Sequence, residues 1–79
     1  MRWEYEYTEN FVASIRALRH EYQRAQIRLV LQRVKSLGHP KDSGAEYMGN
    51  WAYVFAEKCL LQCEIDEKAR RVYFLNVVM

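Results

Sequence analysis

Apolar and polar residues alternate from the start of the chain. Trp3, Tyr5 and Tyr7 are interleaved with Arg2, Glu4, Glu6 and Thr8. A period of two on β-favouring aromatics predicts a half-buried first strand. The period then lengthens. Thr8 or Asn10 can cap a helix in which Phe11, Ile15 and Leu18 share one side, while Ser14, Arg16 and Arg19 point away. The helical pattern resumes after His20, where Tyr22, Ile27, Val30, Leu31, Val34 and Leu37 form an apolar stripe. Two antiparallel helices that break near Arg19–Glu21 are therefore expected. Gly38 ends the second, and Pro40 cannot continue it. Residues 39–48, with Pro40, Asp42, Ser43 and Gly44, read as one long loop.

From Gly49 the period returns to two. Trp51, Tyr53 and Phe55 share one face of a strand, and Ala52, Val54 and Ala56 share the other. Glu57-Lys58 turns the chain. Cys59, Leu61, Cys63 and Ile65 then lie opposite Leu60, Gln62 and Glu64, and a turn at Asp66–Ala69 leads into Arg70–Val78. Three strands on short polar turns form an antiparallel meander. The expected fold is α+β in the order β-α-α-β-β-β, with the helical hairpin packed on one face of a mostly antiparallel four-stranded sheet. Residues 1–79 form a single domain.

Composition narrows the class. Apolar residues are 51% of the chain and aromatics 14%, enough for one packed core. The net charge of +2 is far from the strongly basic balance of a dedicated nucleic-acid binder. Its distribution is uneven, because residues 9–37 hold Arg16, Arg19, Arg24, Arg28, Arg33 and Lys35 against only Glu9 and Glu21. That makes the helical hairpin a solvated basic layer or a face for acidic or phosphate-bearing partners. No apolar run is long enough to cross a membrane, and the polar start is no signal peptide, so a cytoplasmic protein is expected.

Candidate chemistry is sparse. His20 and His39 lack metal-ligand spacing, and Cys59 and Cys63 lack the C-x-x-C spacing, so no metal or cofactor site is expected. On one strand the two thiols sit roughly 13 Å apart, beyond disulfide reach, and read as reduced core residues. No phosphate-cradling glycine loop or nucleophile elbow is present. Ser14 and Ser36 have no histidine tied to them.

The order of elements, together with local stretches of text, resembles the RelE/ParE superfamily of bacterial toxin–antitoxin toxins. Trp3–Thr8 with Phe11 and Ile15-Arg16-Ala17-Leu18 resembles that family's opening strand and helix. Its three closing strands are resembled by Gly49-Asn50-Trp51-Ala52-Tyr53-Val54, by Cys63-Glu64-Ile65-Asp66 and by Arg71-Val72-Tyr73-Phe74-Leu75. The resemblance implies a toxin neutralised by a cognate antitoxin. RelE-type members cut mRNA in the ribosomal A site without metal, using basic side chains on the phosphates, whereas ParE-type members poison DNA gyrase.

Ala52 and Val54 stand where the family often has arginines, and Leu60 stands where a third is expected (Cys59 if the turn is one residue shorter). The resemblance thus implies weak or absent cleavage. Lys41, Tyr53 and Lys58 remain as nucleic-acid-binding candidates toward ribosome-bound mRNA. A catalytically silent protein-binding module of the same fold, or a ParE-type gyrase inhibitor, is the alternative. On the protein-binding reading Ala52, Val54, Ala56, Leu60 and Gln62 would form an exposed apolar sheet face for an antitoxin-like protein or a second copy.

Overall fold

The computed structural model describes residues 2–78. Its elements are β1 (Glu4–Tyr7), α1 (Glu9–Arg16), α2 (Glu21–Leu37), a 3₁₀ turn (Pro40–Ser43), β2 (Glu46–Met48), β3 (Trp51–Ala56), β4 (Cys59–Asp66) and β5 (Arg71–Val78). The strands form one sheet in the order β1-β5-β4-β3-β2. β1 runs parallel to β5 and every other pairing is antiparallel. The α+β reading is correct, but the sheet has five strands rather than four. The additional strand, β2, lies inside the stretch expected to be a loop. All three of its residues are exposed, so no alternation of burial marks it. Gly49, at φ 66°, opens the two-residue turn that folds β2 onto β3. A positive φ at that first turn position is what glycine supplies without a steric cost.

Thr8 is the cap that starts α1. Its Oγ1 accepts from the Phe11 N–H at 3.3 Å. The same hydroxyl donates to the Phe74 carbonyl at 2.9 Å, which ties the helix start to β5. α1 stops at Arg16 and α2 begins at Glu21, so the break spans residues 17–20, slightly earlier than expected. Gly38 ends α2 at φ 97°, a backbone conformation that side chains resist. Its carbonyl accepts from the Tyr5 hydroxyl at 2.8 Å, and a Cβ on it would lie 3.4 Å from Trp3 Cδ1.

The core lies between the helices and one sheet face. Phe11, Leu18, Ile27, Val30 and Val34 meet Val54, Leu61, Cys63, Val72 and Phe74. Tyr22 and Leu37, assigned to the buried stripe by periodicity, are each 51% exposed. They sit in the first and last turns of α2, where the Tyr22 hydroxyl donates to Glu57 in the β3–β4 turn at 2.5 Å. β5 carries one extra residue, because Gln62 faces Asn76 while the next residue, Cys63, faces Phe74. The insertion is a β-bulge at Leu75, and it lets Phe74 and Val77 both point inward despite their odd spacing.

The expected partner face of Ala52, Val54, Ala56, Leu60 and Gln62 does not exist as one surface. Ala52 is 1% exposed and Val54 fully buried, and both lie in the core with Ala56 packed at its margin. Leu60 and Gln62 point to the opposite side. The register explains the error. Ala52 pairs with Cys63, Val54 with Leu61 and Ala56 with Cys59, and residues paired across strands share a face. With a period of two, joining the β3 small residues to the wrong half of β4 inverts the whole assignment.

Candidate functional site

Two surfaces follow from this arrangement. The first is a groove where α1, α2 and the free edge of β1 meet. Phe11 and Phe74 stack beneath Tyr7, with centroids 5.9 and 5.5 Å from its ring. Val12, Ile15 and Leu31 complete an apolar hollow of about 350 Å³ with Arg16 at its lip. Beyond Tyr7 the hollow continues to Arg28, Gln32 and Lys35. Lys35 Nζ stands 4.9 Å from the Tyr7 ring centroid, a cation over an aromatic face. Arg28 binds Glu21 at 2.8 Å, and with Arg24 it holds the Glu21 carboxyl below its ordinary value. The groove therefore has an apolar floor and a cationic rim. Sequence reasoning found the cations but not the floor, since Tyr7 and Leu31 come from elements far apart in the chain.

The second surface is the sheet face turned away from the helices. Strand register orders it into rows. Glu4, Arg71 and Asp66 form one end. Next come Glu6, Tyr73 and Glu64, with Trp51 and Met48 continuing that row one register step from the Ala52–Cys63 pair. Asn76, Gln62, Tyr53 and Glu46 follow, and Val78, Leu60 and Phe55 close the other end. Trp51, Phe55, Val78 and Met48 are all substantially exposed, Met48 at 62%. Among the described residues of the five strands Arg71 is the only cation, and it binds Glu4 at 2.7 Å. This face is acidic and aromatic.

The three nucleic-acid candidates are dispersed. Lys41 is exposed in the 3₁₀ turn, where its N–H donates to His39 Nδ1 at 3.0 Å. Tyr53 is half-buried in the middle of β3, within 3.4 Å of Gln62 Nε2. Lys58 sits in the β3–β4 turn, past the end of a strand that itself runs roughly 10 Å from Tyr53 to Ala56 at the usual rise. Nor does His39 offer a free base. With Nδ1 already accepting, Nε2 carries the hydrogen and donates to Glu67 at 2.7 Å. Among the described residues no cluster of His, Cys, Asp or Glu is placed to hold a metal ion. None of the helices there is long and apolar enough to cross a membrane.

No sequence-family description matches the chain, and no curated protein does. Solved structures do match. A chain of the RelBE2 toxin–antitoxin complex from Mycobacterium tuberculosis superposes with a TM-score of 0.78 at 12% identity, covering 99% of this chain and 98% of that one. A chain of the intact E. coli RelBE toxin–antitoxin complex gives 0.72 at 14% identity, covering 96% and 94%. Near-complete overlap in both directions, with the same two helices on one face of a mixed sheet, means that this protein has the RelE toxin fold.

Proposed function

We propose that the protein is the toxin-like component of a type II toxin–antitoxin module, acting in the cytoplasm through protein binding and cutting mRNA poorly or not at all. The observation that carries this reading is the charge of the outer sheet face, where the one strand cation is already paired with Glu4. Cleavage by a vicinal 2′-hydroxyl builds negative charge on the phosphate. Without a preorganised cation or donor to offset it, the rate falls by about a hundred- to a thousandfold per lost group. Carboxylates at Glu46, Glu64 and Asp66 oppose that charge instead. Both structural neighbours are chains of toxin–antitoxin complexes, which supports an antitoxin-type partner.

The groove around Tyr7 is where that partner docks. Its apolar floor and its rim of Arg16, Arg28 and Lys35 suit an acidic segment with apolar anchors, laid in as a helix or as a strand along β1. The test has two arms. In a translation-coupled assay the purified protein gives no cutting above the ribosome-only background. Robust cutting that persists in the Lys41→Ala, Lys58→Ala double variant refutes the silent reading. In the second arm the product of an adjacent short acidic reading frame binds the full chain, and Leu31→Glu weakens that binding at least tenfold. Undiminished binding moves the docking site elsewhere.

A further inference from the structure

We infer that the outer sheet face is a second docking surface, fitted to an arginine-bearing segment of another protein. It is separate from the groove around Tyr7, and the inference does not depend on the antitoxin reading. Aromatic faces and carboxylates alternate here at contact range. Trp51 lies opposite Glu64, one step along the ladder from the Ala52–Cys63 pair, and Tyr53 is paired directly with Glu46. A guanidinium stacked on an indole or phenol ring while bonding a neighbouring carboxylate satisfies its planar fork and its charge together. The Phe55, Leu60 and Val78 row beyond provides an apolar anchor for residues between the arginines.

Charge selects among occupants. The strands place Glu4, Glu6, Glu46, Glu64 and Asp66 against Arg71 alone, so this face repels nucleic-acid phosphates. It also repels a second copy of itself, because a two-fold contact sets the same carboxylates against one another. A cationic segment is the occupant that both the rings and the acids favour.

The experiment is calorimetric titration of the full chain at low salt with a short synthetic peptide alternating arginine and leucine. Saturable binding that fades as salt rises is expected. The near-isosteric double variant Glu46→Gln, Glu64→Gln weakens it about tenfold, as does Trp51→Ala, while Arg16→Ala in the groove leaves it unchanged. The Gln variants change no buried group, so they remain informative even if Trp51→Ala folds poorly. Affinity untouched by the Gln variants overturns the inference. So does a single-stranded RNA that binds the wild type and is lost on Trp51→Ala, or sedimentation showing that the protein alone self-associates through Trp51.

Discussion

Cys63 shows how far one residue's surroundings reset its chemistry. It lies fully buried between the sheet and the helices, and burial pushes its thiol from 9.0 up to about 12. Burial also raises Cys59. Little thiolate forms at neutral pH, so both cysteines should label slowly under native conditions, and prompt labelling of Cys63 would contradict its placement. The raised value has a thermodynamic consequence. Below pH 9 the Cys63 thiol is neutral in both the folded and unfolded chains. Above it the unfolded chain ionises while the folded one does not until about 12, so this contribution to stability is lost as pH rises through that window. The urea midpoint of the wild type should therefore fall faster between those values than that of Cys63→Ala, and equal slopes would count against it. Lys58 offers a second test at this scale. Its φ of 66° is costly for a side chain, so Lys58→Gly should raise stability by about 0.5 kcal/mol, net of glycine's greater freedom when unfolded. A lower melting temperature would mean that the lysine makes a contact that offsets the strain.

At the scale of elements, Thr8 joins three of them. It caps α1, its N–H reaches the Phe74 carbonyl at 3.2 Å, and its hydroxyl bonds that same carbonyl beside the β5 bulge. Thr8→Ala should cost about 1–2 kcal/mol in denaturant unfolding, while Thr8→Ser retains most of the stability. A loss below a few tenths would show that water replaces the cap. The helix start was legible because capping is local, a threonine placed just before an apolar period. β2 was not legible, since a short exposed edge strand has no inward face to impose alternation and depends on its neighbour for hydrogen bonds. The ends of α2 misled for the opposite reason. Tyr22 and Leu37 were read into the apolar stripe, but at the first and last turns of the helix each is left half exposed.

For the whole molecule the decisive feature is that the sheet's two faces carry opposite assignments. Val54→Lys places a charge in the core and should cost about 4 kcal/mol or more, enough to unfold a chain of this length. Leu60→Lys points to the outer side and should leave the fold intact, as circular dichroism would show. Comparable loss in both variants would mean the register is wrong. The amino-acid order by itself determined every helix and strand except β2, the turns on either side of β4, and the basic helical layer, because period, capping and turn chemistry act over a few residues. It also carried the likeness to RelE toxins, since element order survives when side chains diverge. Tertiary structure alone decided which half of β4 joins Ala52 and Val54, that β1 pairs in parallel with β5, and that Tyr7 meets Leu31 in a groove. Those outcomes depend on pairings between residues far apart in the chain. A period of two records that a strand has two faces, and only the packed helices decide which face is buried.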